Sequence, residues 1–275
     1  MTSSASSAAG PGRIAAFFDV DNTIIRGASA FHLARGMRRR GFLRTRDILR
    51  FGWEQFKYVL FGEKATRLDQ IRNSALSLIR GLNVAEMVSI GEEVYDEVLA
   101  LRIFPGTHEI LKAHLDRGHE VWLVTASPVE VGRIIAQRLE ATGALGTIAA
   151  REKGYYTGAL VGDLLLGKSK AAAAVGLAEE RELDLDNSFA YGDSANDIPI
   201  LSTVGYPCAI NPERHLRRYA KRHGWPVRDF RGKRGDGRRS LAATTGAGAL
   251  WATLVILRAV RATLMTPFRV FRRRR

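Results

Sequence analysis

Two aspartates stand one residue apart in Phe17-Phe18-Asp19-Val20-Asp21-Asn22-Thr23-Ile24, directly after an apolar run. Like charges at that spacing repel and raise each other's pKa, so the pair needs water, a cation or a reaction to justify it. A second acidic stretch, Gly192-Asp193-Ser194-Ala195-Asn196-Asp197, follows Phe189-Ala190-Tyr191 far along the chain. Between them lie Thr125-Ala126-Ser127, again after an apolar run, and the lysines Lys168 and Lys170 just after Gly167. Four carboxylates gathered on one rim would be strongly repulsive if unpaired. A hard divalent cation with oxygen ligands, most simply Mg²⁺, removes that repulsion and keeps positions open for a phosphate oxygen. Each stretch by itself also fits a solvated loop.

Such a gathering needs elements that end at one place. Arg13–Val20 reads as a short buried strand, a continuous apolar run with aromatics. Residues 28–103 read as mostly helical, with apolar groups at three- and four-residue spacings and Asn83 as an N-cap. A helix over Thr107–Gly118 closes on Gly118. Next come a strand over His119–Pro128, a helix over Val129–Gly143, a weaker strand near Leu145–Ala150 and a hairpin-like stretch, Lys153–Leu166. A helix over Lys168–Leu183 and strands at Asn187–Ser194 and Tyr206–Ile210 complete the pattern.

Strands alternating with helices predict an α/β fold with a Rossmann-like parallel sheet and right-handed crossovers. Ligands of such sheets bind beyond the carboxyl ends of the strands, where the three polar strand ends would meet. The helical block interrupts the alternation after the first strand, so it predicts an inserted all-helical cap. The expected organisation is a disordered lead-in at 1–12, a core at 13–27 and 104–230, a cap at 28–103, and a basic linker with an apolar tail at 231–275.

Asp19-Val20-Asp21-Asn22-Thr23, the Thr125 strand end, the lysine after the hairpin and Gly192-Asp193-Ser194-Ala195-Asn196-Asp197-Ile198-Pro199-Ile200-Leu201 together resemble the four motifs of the haloacid dehalogenase superfamily. Their order and spacing are close to its phosphoserine-phosphatase-like branch, and the resemblance covers about residues 13–230. DxD alone is common in loops; four motifs in order are specific. The resemblance implies a Mg²⁺-dependent phosphomonoester hydrolase working through an aspartyl-phosphate. In it Asp19 is the nucleophile, and Asp21 protonates the leaving oxygen and then activates water. The Asp19 carboxylate, the Asp21 main-chain carbonyl and Asp193 hold Mg²⁺, with Asp197 supporting them. Thr125 and the adjacent backbone at Ala126 bind the phosphoryl oxygens with help from Asn196. A lysine neutralises the transferring charge; the glycine-x-x-lysine pattern favours Lys170, with Lys168 as the fallback.

The substrate is less legible. Phosphoserine-specific relatives place a glutamate nine residues after the nucleophile, to hold the substrate's ammonium; here that position is Ala28, and the turn carries Arg26 instead. Arg26 suits an acidic or neutral substrate, so a small soluble or phospholipid-derived phosphate monoester is expected ahead of phosphoserine. The alternative is a membrane-associated regulatory protein that uses the phosphatase-like body as a binding module.

The 275 residues carry a net charge of +14, very unevenly. Residues 211–275 hold 18 Lys/Arg against 3 Asp/Glu, which leaves 24 against 25 for everything before them. Within that end, 241–257 contains no charged residue. A spanning helix needs about 20 apolar residues, so spanning, interfacial anchoring and docking on the body all remain open. Flanking positive charge favours contact with anionic headgroups, and no module for reading nucleic acid accompanies it. A single cysteine, Cys208, and an N-terminus without basic and apolar signal regions predict a cytoplasmic setting.

Several features read as decoys. Gly162–Ser169 matches the phosphate-loop pattern, but its interior is Asp-Leu-Leu-Leu and no first strand of a βαβ unit precedes it. The six histidines show no metal-ligand spacing. Arg38-Arg39-Arg40 reads as a solvated helix face, and Trp225 as a packing residue.

Overall fold

A computed structural model describes residues 13–42 and 79–231. The expectations for 1–12, for the middle of the cap and for the tail beyond Arg231 therefore lie outside the described residues. The elements run β1 (Ala15–Asp19), α1 (Ser29–Arg39), α2 (Val84–Val94), α3 (Pro105–Leu115), β2 (Glu120–Pro128), α4 (Val129–Arg138), β3 (Gly143–Thr147), β4 (Ala149–Glu152) and β5 (Tyr155–Leu160). They continue with α5 (Lys168–Arg181), β6 (Phe189–Gly192), α6 (Ile198–Leu201), β7 (Tyr206–Ile210), α7 (Arg214–Arg222) and β8 (Val227–Arg228).

All five residues of β1, Ala-Ala-Phe-Phe-Asp, are buried. A strand buried on both faces belongs inside a parallel sheet covered by helices on each side. β1 lies at the centre of the six-stranded order β3-β2-β1-β6-β7-β8, with every pairing parallel. Phe17 and Phe18 alternate between the faces and head separate apolar clusters. Each contributes about 1.5–3 kcal/mol of burial. The sheet reverses direction of build between β1 and β6, which opens a crevice at their carboxyl ends.

The cap leaves and re-enters the core through two linkers that lie side by side. Ile25 and Ile103 form an antiparallel bridge, and Arg26 N–H donates to the Arg102 carbonyl at 2.8 Å, as Phe104 N–H does to Ile24. α1 and α2 pack against each other closely enough that a Cβ on Gly36 would lie 2.5 Å from a Val94 methyl. Arg39 and Arg40, read as a solvated face, pair there with Glu97 and Glu93. α2 begins where expected, with the Asn83 side chain accepting the Ala85 N–H at 2.8 Å, and continues as a π-helical turn, Tyr95–Leu99, and a 3₁₀ turn, Ala100–Arg102.

Two expectations need correction. The hairpin is β4–β5, residues 149–160, rather than 153–166. Lys153 (φ 49°) and Gly154 (φ 85°) form its tip, the positive-φ geometry that two-residue hairpins favour, so the first arm is the sequence read as the end of a sheet strand. Its second arm also takes main-chain bonds from the cap: Gly81 N–H to the Tyr156 carbonyl at 2.8 Å and Tyr156 N–H to Leu82 at 3.0 Å. The sequence reading also lacked α7 and β8. α7 is short but strongly two-faced, burying Leu216 and Ala220 one turn apart with six basic side chains or histidines around them, a spacing that helical periodicity could have found, and β8 is two residues long.

Candidate active site

Asp19 closes β1 and is 9% exposed. Lys170, in the first turn of α5, reaches it from across the crevice: its ammonium bonds Asp19 Oδ1 and, at 2.7 Å, Asp197 Oδ1. Lys168, two residues earlier, is exposed. Of the two lysines, it is Lys170 that reaches the aspartates. α5 can start there because Gly167, at φ 61°, turns the chain sharply into it.

Asp197 is bound on its other oxygen by Ser194 Oγ at 2.9 Å and by the N–H groups of Ser194 (3.1 Å) and Asp193 (3.3 Å). These contacts form a capping box around a short 3₁₀ turn. The carboxylate folds back over the strand end so tightly that a Cβ on Gly192 would lie 2.6 Å from Asp197 Cβ. The same loop is fastened from the N-cap of α7: Glu213 N–H donates to the Asp193 carbonyl, and Glu213 Oε1 accepts from Ala195 N–H, both at 2.8 Å.

Carboxylate oxygens of Asp19, Asp193 and Asp197 lie within 4.8 Å of one another. Burial pushes the Asp19 carboxyl up to about 7, against the opposing pull of Lys170. Burial, then the neighbouring charges of Asp19 and Asp197, lifts Asp193 to about 8. Burial alone would lower the Lys170 ammonium, but the two carboxylates reverse this and hold it charged. One ammonium therefore serves three carboxyls, and two of them stand far above the usual carboxylate range. A hard cation at that point is chemically matched to the donor set: all oxygen, short of positive charge, and with Asp197 already engaged elsewhere.

Asp21 lies beside this group and is tied to the cap. Its Oδ1 accepts the Ser29 N–H at 2.9 Å, so the carboxylate sits at the first turn of α1. Burial raises its pKa, and the Ser29 bonds oppose that rise. Ser29 Oγ shares a hydrogen bond of 2.8 Å with Ser127 Oγ, and Ser127 N–H donates to Thr125 Oγ1 at 3.1 Å. A continuous polar chain therefore runs from Asp21 through the cap to Thr125, all at buried or half-buried positions. Ala126 holds its strand end through its carbonyl, which accepts Thr147 Oγ1 at 2.7 Å.

Asn196 is exposed on the Asp193 loop, and Arg26 is exposed with its guanidinium 5.2 Å over the Phe104 ring; both stand outside the bonded network. Ser29, Ser127 and Glu213 were not anticipated. Ser127 stood in the quoted strand end, but its partner is 98 residues away, and no local spacing encodes that. The phosphate-loop lookalike is a structural turn: Ser169 Oγ bonds Leu164 and Leu166 within it, and Leu165 is buried.

The chain also resembles known proteins. A profile described as haloacid dehalogenase-like hydrolase matches residues 16–202. The chain belongs to that family. Within it the chain is a phosphatase, with relatives named accordingly. It is 46% identical over 244 residues to phosphoserine phosphatase SerB1 of Mycobacterium tuberculosis, covering 88% of this chain and 79% of that one. It is 33% identical over 219 residues to an inhibition of morphological differentiation protein of Streptomyces azureus, covering 79% of each. Among solved structures, a Bordetella pertussis protein of unknown function superposes with a TM-score of 0.70 at 26% identity, covering 80% of this chain and 99% of that one. A phosphoserine phosphatase in apo form gives 0.55 at 18% identity, covering 79% and 93%, and shares the fold.

Proposed function

We propose that the chain hydrolyses a phosphomonoester through an aspartyl-phosphate formed on Asp19, with Mg²⁺ held by Asp19, Asp193 and the Asp21 main chain. The observation that carries this reading is the single buried ammonium of Lys170 set between Asp19 and Asp197. It fixes one carboxylate for attack and offers positive charge where a phosphoryl group would be transferred. Asp19 Oδ attacks phosphorus and the leaving oxygen departs; Asp21, held at the start of α1, donates the proton to that oxygen. Asp21 then takes a proton from the water that attacks the acyl phosphate, which restores Asp19 and releases phosphate. Mg²⁺, when bound, supplies charge neutralisation of the phosphoryl oxygens. Thr125, Ala126 and Asn196 bind those oxygens. The cap is assigned to residues 28–103 and the core to 13–27 and 104–230.

For the substrate, SerB1 is named a phosphoserine phosphatase, and phosphoserine is the nearest competing choice. Ala28, the residue before α1, offers no carboxylate to an ammonium group, and Arg26 two residues earlier is cationic. A phosphomonoester without an amino-acid head, small and soluble or phospholipid-derived, fits these two positions better. The test is a phosphomonoester panel with Mg²⁺. At least one substrate of that kind should exceed phosphoserine in kcat/KM, and Arg26→Ala should raise KM most for multiply anionic substrates. Phosphoserine as clearly the best substrate would overturn the selectivity while leaving the chemistry standing. The charge-rich end of the chain is read as a contact for an anionic membrane. Among the described residues no helix is long and apolar enough to cross one.

A further inference from the structure

An open cavity of about 820 Å³ lies away from the aspartates, at the opposite ends of the strands. Its walls include the first residues of β6 and β7, Phe189 and Tyr206, the residues leading into β8, and the last turn of α3. Ligands of parallel sheets usually sit at the carboxyl ends, so the reading here rests on what lines the space. None of the lining residues is acidic. Two arginines, Arg117 and Arg228, line it from different elements, and among the described residues neither has an ion-pair partner. Elsewhere Arg39 pairs with Glu97, Arg138 with Asp96 and Arg217 with Asp229.

The floor is polar and closed. Tyr191 OH bonds His114 Nε2 at 2.8 Å, and His114 Nδ1 bonds His119 Nδ1 at 2.9 Å. Both guanidinium charges lie close enough to act on the Tyr191 hydroxyl. The sides are flat rings: Phe189 and Tyr206 stack at 4.9 Å, and Tyr206 is half exposed. Trp225 leans on Tyr219 at 5.1 Å. Apolar walls with a few convergent polar groups, at this volume, are what sites for small organic ligands consist of. Guanidinium groups favour carboxylate, phosphate or sulfonate, and aromatic faces favour a planar ring.

We infer that this cavity is a second ligand site, separate from the phosphatase centre, for a small anion with a planar aromatic body. Arg117 and Arg228 hold its acidic group, and Trp225 and Tyr206 face its ring. The floor of the cavity adjoins the catalytic strands: Tyr191 stacks on Phe18 at 4.4 Å, Phe18 precedes Asp19, and Tyr191 lies two residues before Asp193. An occupant would therefore press on the two strands that carry the candidate metal ligands.

Two fluorescent probes of similar shape test the site on the full chain: anilinonaphthalenesulfonate, which is anionic, and N-phenylnaphthylamine, which is neutral. Saturable binding of the anion and weaker binding of the neutral probe are expected. Arg117→Gln and Arg228→Gln should each weaken the anion by about tenfold, the worth of one charge-assisted hydrogen bond. They should leave the neutral probe unchanged and keep turnover of p-nitrophenyl phosphate within about twofold, a sign that the fold is intact. Trp225→Ala should weaken both probes. Absence of saturable anion binding, or anion binding indifferent to both arginine substitutions, would overturn the site.

Discussion

Lys170 and Asp197 face each other at 2.7 Å with side chains 4% and 1% exposed, and the same ammonium also bonds Asp19. A buried charge shared in this way holds the crevice together before any substrate arrives. Removing one partner of a buried pair costs about 3–5 kcal/mol, because the other is left uncompensated. Lys170→Met should therefore lower both activity and unfolding free energy in metal-free buffer. The destabilisation should shrink as pH falls, since the freed carboxyls then take up protons. Lys168→Ala, at an exposed position, should leave both near wild type. Phosphate release and denaturant midpoints for the two variants decide it.

Asp19→Asn removes the proposed nucleophile and one of three crowded carboxylates together. Phosphate release should fall to background while thermal stability holds or rises, the trade expected where a site is arranged for reaction rather than stability. Asp21→Asn should lose about 10²–10⁴ in kcat, the range of positioned acid–base catalysis. Asp193→Ala should raise the Mg²⁺ concentration needed for half-maximal rate. Wild-type turnover by Asp19→Asn would end the nucleophile assignment.

Ser127→Ala breaks the hydroxyl pair between the cap and the end of β2. Ser29 Oγ would be left buried without that partner, at about 1–3 kcal/mol. The contact joins cap to core, so its loss should favour an open cap. We expect KM to rise more than kcat falls; unchanged KM with reduced kcat would point to direct transition-state contact instead.

His114 has its pKa lowered from 6.5 to about 4, first by burial and then by the charges of His119 and Arg117. Between those two values the folded chain binds fewer protons than the unfolded chain, so this group's contribution to stability is lost as pH falls from about 6.5 toward 4. The raised carboxyls of Asp19 and Asp193 act in the opposite sense near neutrality. The quantity to read is therefore the difference between wild type and His114→Gln. The variant's denaturant midpoint should fall less between pH 7 and pH 5 than the wild type's.

Residues 231–275 are expected to bind anionic vesicles at low salt, each basic group near the surface contributing about 1 kcal/mol. A chain ending after Phe230 should keep its turnover on soluble phosphates and lose vesicle binding in sedimentation. Full-length protein that stays in the supernatant would remove the membrane role.

The sequence by itself determined the class of fold, a buried first strand and the acidic groups that gather at the strand ends. Those are set by local facts: an apolar run long enough for a strand, helical periodicity, and aspartates at strand ends that a parallel sheet brings to one rim. Lys170 over Lys168 was inferred from a glycine spacing, and only the folded chain separated a buried ammonium from an exposed one. Ser29 with Ser127, and Glu213 beneath the Asp193 loop, came from tertiary structure alone. Each joins residues far apart in the chain whose local surroundings give no sign of the partner. The hairpin register depended on Lys153 taking a positive φ, which its side chain does not announce. The anion-suited cavity is the extreme case. Its arginines, histidines and rings come from α3, β6, β7, α7 and β8, and their nearness exists only once the sheet has closed.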